Sequence, residues 1–312
     1  MEDPRAPRKL AFGASTNRGE SATHPVDRRR KSRAGALSAL LGLLALLVAA
    51  CHHHAPRQPP PQVLIDPFGY QVSSGENHYQ IEGYFARAAT PGRLPAMLVL
   101  NGDRGDAGQC IGRLRRFLPL GIRVACISLP GYGKSSGPSR LVGPQSVEAA
   151  RYGLDLLAAR PSVDPAHLAL WGIGDGAVAA GLLMDSSPRA HVVILQSGAY
   201  DMVRLWPTAP IRTKLSILRQ VWPSKRLLKE RSVIENLPAK LDCNVLILHG
   251  DRDHRAPVKQ AQQLAQALSQ RGARVDTRFF AEGTNELGHK VDEPVREFLR
   301  ANLVPAPSAD GS

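Results

Sequence analysis

The segment of this chain best suited to chemistry is Gly172-Ile173-Gly174-Asp175-Gly176-Ala177. It follows the apolar run His167 to Trp171 and precedes a small, helix-compatible run, Val178 to Met184. Strand, glycine-dense turn and helix is the setting of a nucleophile elbow, in which small residues two before and two after the centre let the backbone bend sharply. The pattern would be G-x-S-x-G, and its centre here is Gly174, which has no side chain. Loss of a nucleophile removes the covalent step and most of the rate with it. The turn therefore has three readings. One is a degenerate site that keeps its scaffold and has lost turnover. Another is a displaced nucleophile, with Asp175 nearest, since carboxylates form covalent ester intermediates; shifting the elbow by one residue then puts Ile173 at a tight position. The last is the dinucleotide fingerprint G-x-G-x-x-A, which would make an oxidoreductase. Against it, the turn sits on about the fifth strand, and the next strand ends Leu195-Gln196-Ser197 with no acid for a ribose hydroxyl.

Other strings are weaker. Gly133-Lys134-Ser135 looks like the end of a phosphate loop, but Ser128 stands where a Walker A motif needs glycine. Arg104-Gly105-Asp106 reads as a structural loop. Ser135, Ser136 and Ser197 lack flanking elbow glycines. Cys51, Cys110, Cys126 and Cys243 show no CxxC spacing and no Cys/His ligand pattern, so neither a zinc site nor a dithiol redox motif is expected. Cys126 and Cys243 fall in or beside strands and read as small core residues; Cys110 is open to a reactive role.

The elements that must position the turn are legible as alternating short β-rich runs and longer helical ones, the mark of an α/β chain with a mostly parallel sheet. VLIDPFGYQV and HYQIEGYFARA, separated by residues 73–77, read as an antiparallel hairpin. Strands are expected at 96–101, 122–129, 167–172, 191–198, 244–250 and 274–280, their apolar character suiting burial on both faces. Helices are expected near 107–119, 145–160, 175–186, 257–271 and 291–302, the first interrupted late by Pro119 and the fourth closed by Gly272. The long connection 200–241 carries Trp206, Leu215, Leu218, Trp222, Leu227 and Leu228 among basic residues and predicts a lid over the strand ends. With 312 residues, 21% charged and 5% aromatic, the chain is neither disordered nor a disulfide-stapled miniprotein. The net charge of +13 is spread, with no long Lys/Arg run after residue 33, so nucleic acid is not an expected partner.

Residues from about 80 to 302 resemble the α/β-hydrolase superfamily, nearest its dienelactone-hydrolase and prolyl-oligopeptidase-like branches. The matching pieces occur in order: Leu98 to Gly102, the glycine turn Pro130 to Ser135, the stretch Tyr152 to Trp171, the loop His249-Gly250-Asp251-Arg252-Asp253, and Leu287-Gly288-His289. The resemblance implies an α/β-hydrolase fold with helices on both faces of the sheet and a short helical lid. It implies Asp253 as the acid that orients an imidazole, and His289 as the general base acting on the nucleophile position, Gly174, or directly on water. An oxyanion hole would use the backbone N–H of Asp175 and one from Gly102 or Asp103. Esters, thioesters or peptides are the implied substrates, with no cofactor and no metal. The competing class is a non-catalytic envelope protein that binds a small apolar ligand or a protein partner in the lidded pocket.

The N-terminal segment is an address. Arg28-Arg29-Arg30-Lys31-Ser32-Arg33 precedes the uncharged run Ala34 to Ala50, which ends Val48-Ala49-Ala50-Cys51. A positive region, an apolar region and small residues at a cleavage point make a secretory signal. The ending resembles a bacterial lipobox, which implies cleavage before Cys51 and lipidation of its thiol. Seventeen residues at about 1.5 Å each barely cross a hydrocarbon core of about 30 Å, so a permanent span is marginal. The polar, Pro-rich residues 1–27 are unusual before such a signal and predict a true start at Val26. After Cys51, HHHAPRQPPPQ reads as an extended tether more than as a metal tract. The expected organisation is therefore a signal over 1–50, a tether over 51–62, one hydrolase-like domain over 63–304 with its lid at 200–241, and a tail over 305–312. The protein is expected to be exported and lipid-anchored at the cell envelope, on the outer membrane where one exists.

Overall fold

Two long strands, β1 (Val63–Ser74) and β2 (Asn77–Ala88), pair antiparallel from Val63 against Ala88 down to Ser74 against Asn77. That register leaves Gly75 and Glu76 as a two-residue turn, and Gly75 takes φ 60°, the left-handed backbone such turns require. Six further strands follow: β3 (Leu94–Asn101), β4 (Arg123–Ser128), β5 (Val163–Ile173), β6 (Val192–Gln196), β7 (Asn244–Gly250) and β8 (Arg274–Phe280). The sheet order is β1-β2-β4-β3-β5-β6-β7-β8; β2 meets β4 antiparallel and every later pairing is parallel. This computed structural model describes residues 62–102, 105–184 and 189–305. The expected signal, the expected lipidation site at Cys51, the expected tether up to residue 61 and the expected tail from 306 lie outside them. Among the described residues no helix is long and apolar enough to cross a membrane.

Alternation along the central strands sends side chains to opposite faces, and helices cover both. Leu98, Leu100, Ala125 and Ile127 pack with α2 (Pro144–Ala158), α3 (Asp175–Leu183) and α7 (Val258–Gln270). Met97, Val99, Val124 and Trp171 pack on the other side with α1 (Ala107–Leu114) and α8 (Asp292–Asn302). Trp171 is fully buried there, edge-on to Phe117 at 5.7 Å. The expected helix 107–119 is divided: α1 ends at Leu114, and a 3-10 turn, Arg115–Leu120, carries the chain past Pro119 to Gly121 at φ 75°. Proline removes the amide that an α-helix would need at that point.

Cys243 is a buried free thiol, as the sequence implies. Cys126 is also buried in β4, but it is bonded to Cys110 on α1, which corrects both the expectation of an unbridged core cysteine and that of a reactive Cys110. The bridge spans a sequence separation of 16. On the loop-closure account, its removal by reductant or by Cys110→Ser should lower stability by about 3 kcal/mol. Thermal unfolding with and without dithiothreitol checks this, and superimposable curves would show that the bridge contributes nothing.

The 200–241 connection folds into α4 (Met202–Thr208), α5 (Ile211–Leu218), α6 (Lys225–Glu230) and a 3-10 turn, Ile234–Asn236. Met202, Leu205, Ala209, Ile217 and Leu228 give it a small core of its own, together with Leu141 from below. Ser139 Oγ and Leu141 N both donate to Gln220 Oε1, at 2.6 and 3.0 Å, and tie the lid to the loop beneath it. Arg140, Leu141 and Val142 in that loop all take positive φ, 45°, 51° and 54°. Three successive left-handed residues other than glycine persist only where the surroundings hold them.

Candidate active site

The chain leaves β3 for β4 on one side and returns to β5 on the other, so the ends of β3 and β5 form the switch point at which an open α/β sheet leaves a crevice. Gly172 to Ala177 lies there. Gly174 takes φ 57°, ψ −119°, a conformation open to glycine and strained for any other residue, and it caps the N-terminus of α3. Its N–H donates to Gln196 O at 2.9 Å. A Cβ on Gly176 would stand 2.0 Å from Leu100 O, and one on Gly172 would stand 2.2 Å from Gly176 O. These two small residues are therefore dictated by backbone touching backbone, which is the geometry of the elbow.

Over this turn, beneath the lid, is a cavity of about 840 Å³ lined by Gly174, Asp175, Tyr132, Ser197 and Asp253 among others. Its lid side is basic, with Arg212, Arg219 and Arg231 joining Arg255. Arg231 is buried, and burial lowers its pKa, an effect that the nearby Glu230 opposes. Asp175 is held to one wall, its Oδ2 accepting from the Tyr132 hydroxyl at 2.5 Å. This is the carboxylate expected as an alternative nucleophile. Ser197, beyond β6, takes φ 53° and lines the same cavity, and its buried hydroxyl has no hydrogen-bond partner.

Of the two expected oxyanion amides, that of Asp175 stands at the first turn of α3, where the helix itself supplies no acceptor. Gly102 does not serve: its N–H donates to Ile173 O at 3.1 Å, continuing the β3–β5 ladder. A Cβ on Gly102 would lie 2.4 Å from that same carbonyl, so the approach is set by the backbone. Asp103 lies outside the described residues.

Asp253 and His289 do not meet as the resemblance implies. Asp253 is buried, and its Oδ1 accepts from Arg255 N at 2.8 Å and Ala256 N at 3.0 Å. Its Oδ2 lies 3.4 Å from Nε2 of His249, a fully buried imidazole at the end of β7. That Nε2 is closer to Ala256 O, at 2.8 Å, so the contact with Asp253 is electrostatic more than a formed hydrogen bond. Burial pushes the Asp253 carboxyl up, but the nearby His249 imidazole and the two amides outweigh it and hold it below the usual carboxylate range. His289 sits on a 3-10 turn, Gly288–Val291, with its side chain 83% exposed. Its Nδ1 lies 3.1 Å from Asp292 Oδ2, and Asp292 Oδ1 also receives Arg116 Nη2 at 2.5 Å. The expected acid–base pair is thus replaced by two separate pairs, His249–Asp253 inside and His289–Asp292 outside. Both spacings, four and three residues, were visible in the sequence; what they lacked was any sign that the imidazoles would take these partners. Tyr132 and Ser197 gave no signal beyond their place at strand ends.

Comparison with known proteins agrees with this architecture. A sequence model described as the prolyl oligopeptidase family matches residues 139–297, half of the chain. An uncharacterized protein of Mycobacterium tuberculosis, Rv2307c, is 27% identical over 242 residues, covering 75% of this chain and 79% of its own. The uncharacterized peptidase YuxL of Bacillus subtilis is 24% identical over 147 residues, 22% of its length. Among solved structures, an acetyl xylan esterase from Paenibacillus sp. R4 superposes with a TM-score of 0.61 at 15% identity, covering 85% of this chain and 94% of its own. The acylaminoacyl peptidase of Pyrococcus horikoshii superposes at 0.61 with 14% identity, and this chain covers 43% of it. The chain thus spans less than half the length of the acylaminoacyl peptidases whose fold it shares. With the elbow, the sheet order and the family match in hand, the chain belongs to the prolyl oligopeptidase family of the α/β-hydrolase superfamily.

Proposed function

We propose that this chain is an exported, lipid-anchored member of its family that binds a small ester-, thioester- or peptide-like molecule under its lid without turning it over through an acyl-enzyme. The observation that carries this reading is Gly174: the turn keeps the backbone of an elbow and has no atom with which to attack. The pairing of His289 with Asp292 supports it, because the imidazole that the resemblance assigns as base is then held by another carboxylate than Asp253. The arginines on the cavity wall favour a ligand with ester, amide or carboxylate oxygens over a purely apolar one. For export and anchoring the support is the signal-like run before Cys51 and the Cys110–Cys126 bridge, a bond that persists in oxidising compartments. Incorporation of labelled fatty acid that disappears in Cys51→Ala tests the anchor.

The test of the site is hydrolysis of a short-chain nitrophenyl ester by the full chain, wild type beside His289→Ala. Both should run at the rate of buffer. Turnover in the wild type that vanishes in His289→Ala would overturn the reading. It would establish a working enzyme, with Asp175 as the first nucleophile to mutate and His289-activated water as the other route.

A further inference from the structure

Helix α5 of the lid has two unlike faces. Arg212, Thr213, Ser216 and Ile217 line the cavity. Ile211, Leu215 and Leu218 face away from it with 68%, 46% and 40% of their surface exposed, and Trp222, just beyond the helix, is 84% exposed. Positions i, i+4 and i+7 fall on one stripe of a helix, so the three aliphatic side chains form a continuous strip, and the exposed indole follows four residues after Leu218 in the chain. Single exposed apolar residues are ordinary; a strip with a nearly bare tryptophan marks a surface that has something to cover it.

Charge says what covers it. From Ile211 to Lys229 the chain carries no acidic residue; of its six cations Arg212 and Arg219 line the cavity, and Lys214, Lys225, Arg226 and Lys229 do not. Arg226 and Lys229 reach only the surface carboxylates of Glu230 and Glu235, at 3.0 and 3.6 Å. A second copy of this chain laid on the strip would bring two such cationic segments together. An anionic lipid surface satisfies both features at once, taking tryptophan and aliphatic groups among its headgroups and placing phosphates beside lysine and arginine. We propose that the outer face of α5 and Trp222 docks on an anionic bilayer, so that the wall carrying Arg212 and Ile217 is the part of the cavity nearest the lipid. This goes beyond the reading of the site, and its readout does not involve turnover.

Trp222 reports its own position, because Trp171 is fully buried and Trp206 half-buried. The full chain is reconstituted in vesicles of phosphatidylcholine with about three parts in ten phosphatidylglycerol. Emission is then compared with that in vesicles whose acyl chains are brominated, for wild type and Trp222→Phe, with flotation measuring how much protein is on the vesicles. The wild type should lose about half of its emission in brominated lipid, and Trp222→Phe should lose several-fold less at equal flotation. Replacing all three aliphatics, Ile211→Ser, Leu215→Ser and Leu218→Ser, or raising salt, should restore the Trp222 emission. Equal quenching in wild type and Trp222→Phe would overturn the proposal, as would a Trp222 shielded in a concentration-dependent way without any lipid, which would identify a second copy of the chain as the occupant.

Discussion

Gly174→Ser should fold with a modest loss of stability and hydrolyse a short-chain nitrophenyl ester on the order of 10²-fold faster than wild type. The stability loss follows from φ 57°, ψ −119°: a side chain in such a region costs about 1–3 kcal/mol, or a few degrees to about 10 °C in melting temperature for a domain of this size. The rate follows from what the turn already has. A hydroxyl would stand at the elbow beside the Asp175 amide, and the only imidazole the resemblance assigns as base, His289, is held elsewhere by an exposed pair with Asp292. Exposed pairs are worth about 1 kcal/mol or less, so releasing the ring is inexpensive. Adding Asp292→Asn to Gly174→Ser should therefore raise the rate further, and adding His289→Ala should return it to background. A melting temperature that collapses in Gly174→Ser would place the elbow elsewhere. A stable variant that gains nothing, even with Asp292→Asn, would mean that the site has drifted beyond its nucleophile.

Asp253→Ala should lower stability by about 3–5 kcal/mol, because it strands two amides at once and leaves a gap beside a buried imidazole. His249 has no exposed surface on its side chain, and the Arg255 and Ala256 N–H groups have their acceptor in Asp253 Oδ1. At about 2–4 °C per kcal/mol the melting temperature should fall by about 6–20 °C. Asp253 also sets a pH dependence. Its folded carboxyl lies below the ordinary value of about 3.9, so the stability it contributes is fully present above that pH and is lost as pH falls through the lower folded value. Asp253→Asn, which keeps the shape and removes the charge, should flatten that part of the acid unfolding curve. If Asp253→Ala melts with the wild type, the residue is not the buried tie described here, and an orienting role towards His289 returns to consideration.

The contrast between these two sites shows how far sequence carries. The sheet was legible because apolar runs such as Met97 to Leu100 and Val245 to Leu248 report burial on both faces from local composition alone. The elbow was legible because two glycines flanking a third, after a strand and before a helix, report a close approach that no larger residue survives, and the 2.0 Å between a Cβ on Gly176 and Leu100 O is that approach. The lid was legible as a long connection rich in Trp and Leu, but not the way its α5 divides into a polar inner and an apolar outer face, since that depends on where the cavity lies.

Partners across space were not legible. The order of Asp253 and His289 in the chain suits a pair, yet His249 ends β7 inside the body, one loop from Asp253, whereas a 3-10 turn leaves His289 at the surface beside Asp292. Gly102 was assigned a free amide that the β3–β5 ladder, one residue longer than expected, had already used. Cys110 and Cys126 carry no spacing signal, and only the packing of α1 against β4 brings their sulfurs together. Alone, the sequence determined the fold, the elbow and its missing side chain, because these are written in periodicity and in residue size at fixed short spacings. Tertiary structure decided which imidazole each carboxylate faces, that the Gly102 amide belongs to the β3–β5 ladder and which side of the lid faces out, because each depends on distances between residues that the chain order leaves unspecified.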